Sequence, residues 1–140
     1  MGVIIQYQLF KSKEEYGSMK TIVYCDGKYC AGMNLVSLNE ELARILINIK
    51  PERRTLRIEK IFNQLIASVS DNSCIRDFDV LFNPDYAIDA LQILASAGRT
   101  KKISVLWPGT IEDGKLIYAE DGYDDYKKYD VKQYDIICIV

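Results

Sequence analysis

Apolar and polar positions follow two rhythms along this chain, and the clearest switch between them runs from Asp77 to Gly109. Asp79-Val80-Leu81-Phe82 closes a short apolar run that reads as a strand. Asn83-Pro84 punctuates it: Asn is a good N-cap, and Pro at the first helical position has no N–H to leave unpaired. Ala87, Ile88, Leu91, Leu94 and Ala95 follow at helical spacing, and Gly98 offers a left-handed stop. Ile103-Ser104-Val105-Leu106-Trp107 is a second, β-branched run, ended by Pro108-Gly109. A strand, a crossover helix and another strand predict a βαβ unit.

The same rhythms extend over the rest of the chain. Val3 to Tyr7 predicts a first strand, and a charged segment follows from Leu9 to Tyr16. Thr21 to Cys25 prefers strand by propensity, although a helix there would also connect two parallel strands. Asp26-Gly27 is a turn signal. Met33 to Leu38 predicts a strand leading into a helix, whose start is marked by Ser37 and Glu40 at capping-box spacing. Leu42, Ile45, Leu46 and Ile49 give that helix one apolar face, and Pro51 ends it. Thr55 to Val69 predicts the clearest amphipathic helix, with Leu56, Ile58, Ile61, Phe62, Leu65, Ile66 and Val69 on its apolar side. Glu112-Asp113-Gly114-Lys115 reads as a turn before a short strand, Lys115 to Ala119. Tyr123, Tyr126 and Tyr129 recur every three residues, which suits a short helical or 3₁₀ segment over Asp121 to Asp130. Tyr134 to Val140 predicts a last buried strand. The alternation predicts one three-layer α/β domain over residues 1–140, a mostly parallel sheet flanked by helices. Ligands of such sheets bind beyond the strands' carboxyl ends, here near Tyr7, Leu38, Phe82 and Trp107.

Composition narrows the chemistry. A chain of 140 residues can bury a sizeable single core. Its formal net charge of −2 gives no global electrostatic case for nucleic acid or an anionic membrane. Histidine is absent, which removes the commonest general base, the commonest zinc ligand and any Ser-His triad. Cys25 and Cys30 lack the two-residue gap of redox or zinc pairs, and Cys74 and Cys138 sit in apolar runs. The four read as buried, reduced thiols of a cytoplasmic protein. No apolar stretch is long enough for a membrane span, and the first residues lack the pattern of a secretory signal.

Three places carry candidate chemistry. A nucleotide site needs backbone N–H groups around phosphate, hence glycines after a strand. The loop after Tyr7 has none before Gly17, so Lys11 and Lys13 offer charge without a cradle. No G-x-x-x-x-G-K-[ST] occurs. Asp77 and Asp79 stand where an acidic pair could hold magnesium, or where strand-end aspartates simply meet water. Arg53, Arg54 and Arg57, with Lys50 and Lys60, make a basic helix entrance. Cations there oppose the helix dipole, which hints at an external anionic partner. Trp107 either packs beneath a covering helix or lines the crevice and meets a partner.

Several segments stand in this order along the chain: Asn34-Leu35 leading into Asn39-Glu40-Glu41-Leu42; Arg53-Arg54-Thr55-Leu56-Arg57-Ile58; Asp79-Val80-Leu81-Phe82-Asn83-Pro84; Trp107-Pro108-Gly109; Lys115-Leu116-Ile117-Tyr118-Ala119; and Gly122-Tyr123-Asp124-Asp125-Tyr126 with Tyr129-Asp130. From Met33 onward this set resembles BrxF, a small P-loop-type NTPase family of BREX phage-defence systems. The resemblance implies a P-loop-like fold with its Walker B acid near Asp79 and Arg76 or Asp77 beside it. The chain departs from the family where a Walker A loop is expected after the first strand, since Gln8 to Glu15 lack the glycines and the lysine–hydroxyl pair. The implied role is an accessory component that contacts other defence-system proteins through Arg53, Arg54, Arg57 and Trp107, with little or no NTP hydrolysis. A homo-oligomer fits this role, nucleic acid enters only indirectly, and no membrane partner or resident metal is expected. Two alternatives stay open: a nucleotide-dependent switch holding ATP and magnesium through Lys11, Lys13 and Asp79, and an unrelated α/β adaptor.

Overall fold

A computed structural model describes residues 2–12 and 21–140. In chain order the first elements are β1 (Val3–Ile5), α1 (Tyr7–Ser12), β2 (Thr21–Tyr24), β3 (Asn34–Ser37), α2 (Asn39–Ile47) and α3 (Pro51–Ala67). Then follow β4 (Ser73–Arg76), α4 (Ala90–Ala97), β5 (Ile103–Leu106), β6 (Thr110–Glu112), β7 (Lys115–Tyr118), β8 (Lys127–Asp130) and β9 (Ile136–Ile139). Six strands form a parallel sheet in the order β1-β9-β2-β5-β4-β3. β6, β7 and β8 make a small antiparallel sheet.

Side chains alternate across the parallel sheet with the strand period of two. Val23, Ile75, Ile103, Val105, Ile136 and Cys138 face a large core shared with α2, α3 and α4. Ile5, Ile22, Tyr24, Cys74, Ile137 and Ile139 face a smaller one, joined by Tyr7 and Phe10 of α1 and by Cys30. Strands covered on both faces read as continuous apolar runs, and β2 and β9 are buried along their whole length. The α/β class and the helix-flanked, mostly parallel sheet agree with the sequence. The helices are shared unequally, with the three longer ones on one face.

Several boundaries differ from the sequence expectation, each for a local reason. Thr21 to Tyr24 takes the strand its propensity favours, at the centre of the sheet, and not the alternative helix. Ser37 does not cap α2: Leu38 occupies that position, and the Ser37 hydroxyl donates to Asp77 instead. Pro51 does not end α2 but opens α3, at the first helical position. Leu56 is 85% exposed, because it lies about 200° around the helix from Ile58. Asp79–Phe82 is a 3₁₀ turn and not a strand, since β4 ends at Arg76 and Asp77 reverses the backbone at φ 51°. Asn83 caps a second 3₁₀ turn, Pro84–Tyr86; Ala87 breaks out at φ 49°, and Asp89 caps α4 by accepting from the Gln92 N–H at 3.1 Å. Gly98 keeps a right-handed φ of −68°, so it is no left-handed stop. The tyrosine-rich segment ends in β8, where Tyr129 lies opposite Leu116 of β7.

Trp107 joins the two sheets. Its backbone N–H donates to the Tyr24 carbonyl at 2.9 Å, and its indole N–H donates to the Ile117 carbonyl at 2.9 Å. Its ring meets Phe82 and Tyr129 edge-on, at 5.6 and 5.9 Å. A Cβ on Gly109 would run into the Ile117 carbonyl oxygen, so a side chain there pushes β7 off the tryptophan. Trp107→Ala is expected to lose about 3–5 kcal/mol of stability in denaturant titrations, and Gly109→Ala to be destabilised through the same junction.

Candidate functional site

Ligands of open parallel sheets sit where neighbouring strands send their connections in opposite directions, beyond the carboxyl ends. Here β2 leads toward β3 at one edge, while the chain after β5 returns on the other side of β2 to reach β9. The switch therefore lies between the ends of β2 and β5, where the Trp107 N–H closes on the Tyr24 carbonyl; on the other side of β2 the Cys25 N–H donates to the Ile139 carbonyl of β9. The residues facing it from β2 are Asp26 to Cys30, a single 3₁₀ turn over Gly27–Cys30.

That turn is bound to itself. The Asp26 carboxylate accepts from the Lys28 N–H at 3.0 Å, and the Asp26 carbonyl accepts from the Tyr29 N–H at 3.2 Å. Lys28 Nζ lies 3.7 Å from the Asp26 carboxylate and 5.1 Å from the Tyr29 ring centre. Tyr29 in turn stacks on Tyr7 at 4.3 Å. A cleft of about 490 Å³ opens beside this stack, lined by Gln6, Tyr7, Gln8, Lys28, Tyr29 and Val140. A phosphate cradle needs successive amides pointing outward, commonly around glycines in left-handed conformations. Here two amides point back to Asp26, and the positive-φ glycines are Gly114 and Gly122, not Gly27 or Gly32. A carboxylate also stands where phosphate charge would go. The residues present do not fit a triphosphate.

The sequence attached its weak phosphate loop to the first strand. In the structure β1 is an edge strand beside β9, and Lys11 belongs to α1, the helix that follows it. Lys13 lies outside the described residues.

Asp79 opens the 3₁₀ turn after β4, and each of its oxygens has a partner. Oδ1 accepts from Asn39 Nδ2 at 3.1 Å, and Oδ2 accepts from the Tyr118 hydroxyl at 2.8 Å. The Asn39 side chain also accepts from the Val80 N–H at 2.9 Å, so it closes a ring between the start of α2 and that turn. The Tyr118 ring stacks on Phe82 at 3.8 Å. Burial, then the hydrogen bond to Asp79, pushes the Tyr118 hydroxyl up, so it stays a donor at any ordinary pH. Asp77 accepts from the Ser37 hydroxyl and from Arg76 Nε at 3.0 Å, and these two bonds hold its carboxyl below the usual range. Among the described residues no group of three or more His, Cys, Asp or Glu side chains could hold a metal ion. Asn39, Ser37 and Tyr118 were not singled out in the sequence as site residues. Asn39 and Tyr118 do fall inside segments that resemble BrxF, but nothing in their spacing ties them to Asp79.

The three arginines divide. Arg54 is half-buried and its Nε donates to the Ile49 carbonyl at 3.0 Å, fastening the connection from α2 to α3. Arg53 and Arg57 are exposed beside Leu56, and no carboxylate among the described residues pairs with them. Trp107 is 3% exposed and belongs to the core.

Compared with models of known protein families, with curated proteins and with solved structures, the chain finds no match. Among the described residues, no helix is long and apolar enough to cross a membrane.

Two outcomes follow for this carboxyl edge. Tyr118→Phe should cost about 1–2 kcal/mol in denaturant titrations, through loss of the bond to a partly buried carboxylate. Asp77 has a lower pKa folded than unfolded, so its stabilisation is present above its unfolded value of 3.8 and is lost as pH falls through the folded value. Asp77→Asn is therefore expected to flatten the acid limb of a melting-temperature profile below about pH 4 while leaving the neutral limb in shape.

Proposed function

We propose that this chain is a BrxF-like accessory component of a BREX-type antiphage system, working through protein contacts and not through nucleotide hydrolysis. The ordered segments from Asn34 to Asp130 support the system assignment. The self-bonded turn after β2 is the observation that carries the second half: the strand at the switch point is followed by Asp26 capping its own loop, where a nucleotide-binding relative would present free amides. A degenerate P-loop-like fold agrees with a parallel sheet whose switch point falls at β2 and β5. Asp79, the residue the resemblance puts at the Walker B position, is occupied as an anchor by Asn39 and Tyr118.

The contact surface in this reading is the exposed side of α3. Leu56 stands 85% exposed on it. Arg53, Arg57 and Lys60 stand on one side of Leu56, with no carboxylate partner among the described residues, and Glu52 and Glu59 stand on the other. The cationic side with its apolar neighbour suits an acidic partner surface with an apolar pocket. Arg54 is excluded, because its side chain already closes the α2–α3 connection.

Two measurements test the proposal. In calorimetry, ATP with magnesium is expected to bind no tighter than about millimolar, roughly −4 kcal/mol; micromolar affinity would overturn the contact-only reading. A tagged chain produced with the proteins of its neighbouring genes is expected to co-purify with at least one. Arg53→Glu with Arg57→Glu should abolish that capture and phage protection while leaving the melting temperature within a few degrees. Wild-type protection by this double variant, or neighbouring genes unrelated to BREX, would remove the basis for the assignment.

A further inference from the structure

The four cysteines are free and fall into two couples on opposite faces of the parallel sheet. Cys25 and Cys138 adjoin the large core. Cys30 and Cys74 adjoin the small one, and their sulfurs lie 3.3 Å apart. This second couple joins two very different supports. Cys74 is in β4, hydrogen-bonded between β3 and β5 on a fixed backbone. Cys30 ends the 3₁₀ turn that follows β2, held by the Asp26 cap, the Met33 N–H on the Cys30 carbonyl and the stacking of Tyr29 on Tyr7. A single turn with so few bonds can open locally without unfolding the sheet. Both sulfurs are covered when it is closed.

We propose that Cys30 and Cys74 are an oxidation site that forms a reversible internal disulfide with hydrogen peroxide as oxidant. When the turn opens, the Cys30 thiolate attacks a peroxide oxygen; the O–O bond breaks, leaving a sulfenic acid and hydroxide, which takes up the thiol proton as water. When the turn closes, the Cys74 sulfur attacks the sulfenic sulfur; the S–O bond breaks, a second water leaves, and the S–S bond forms. Two thiols and one peroxide thus give one disulfide and two waters. Closure needs the sulfurs to approach from 3.3 Å to about 2.05 Å, a movement the turn can supply while the strand stays still. Burial pushes both thiols up, which lowers the thiolate fraction and makes the reaction slow. The bond would fasten the segment at the switch point to β4 and remove its freedom to open. The site is independent of any contact made by α3.

The four cysteines fall in four separate tryptic peptides, residues 21–28, 29–44, 61–76 and 133–140. The full chain is treated with hydrogen peroxide, alkylated and digested without reduction. A peptide linking 29–44 to 61–76 is expected, with the intact chain lighter by two hydrogens, a melting temperature higher by several degrees, and full reversal by dithiothreitol. Cys30→Ser, at the end of the turn, should abolish the link. If it folds poorly, the wild-type peptide map still decides. No such peptide after exhaustive oxidation, a link between 21–28 and 133–140 alone, or cross-linked dimers in its place would each overturn the proposal.

Discussion

A single chain of aromatic contacts holds the two sheets and the helical layer in register, with Trp107 at its middle. From Trp107 it runs one way through Phe82 and Tyr118 to Asp79, and the other way through Tyr129 and Tyr134 to Asp89. Each end is a carboxylate receiving a tyrosine hydroxyl, at 2.8 Å for Asp79 and 2.6 Å for Asp89. Each carboxylate also organises a backbone segment: Asp79 receives Asn39 at the head of α2, and Asp89 caps α4. Rings packed edge-to-face and stacked lose little freedom on ordering and bury large area. The polar ends keep those rings from sliding. The residue with the best sequence credentials as a metal-holding acid is thereby committed to architecture.

The elements whose period is set by a continuous core were legible. β5 and β9, and the buried side of α3 from Ile58 to Ile66, follow directly from apolar spacing. The stretch between β4 and α4 was not. Asn83-Pro84 does cap and open a helical turn, but only the 3₁₀ turn Pro84–Tyr86, because Ala87 takes a left-handed conformation that no local signal announces. Tyr123, Tyr126 and Tyr129 share a helix-like spacing, yet the last is buried by pairing with β7, a contact fixed across the sheet and not along the chain. Leu56 looked like core by hydrophobicity alone, and its angle around the helix puts it in water.

The site was legible to a smaller degree. That the carboxyl edge of a parallel sheet would gather polar side chains follows from the fold class. Which strand stands at the switch point depends on strand order, and strand order is invisible in one sequence. β1 is first in the chain but last in the sheet, so the segment that matters is the short turn after β2. The arginines show the same limit. Arg53, Arg54 and Arg57 look equivalent in sequence, while one of them reaches back to a carbonyl that only the bend between α2 and α3 exposes.

The order β1-β9-β2 has a consequence for how the chain acquires its shape during synthesis. β1 leaves the ribosome well before its sheet neighbour, β9, which spans residues 136–139. Until those residues emerge, Val3 to Ile5 have no strand to pair with and β2 lacks one of its two neighbours. Native pairings of such long sequence separation form late, after nearly all the loop-closure entropy has been lost. β2, β3, β4 and β5 can assemble first against α2, α3 and α4, leaving an open apolar edge along Thr21 to Tyr24. That nascent intermediate is the state most exposed to misassembly, and insertion of β9 is the step that ends its vulnerability.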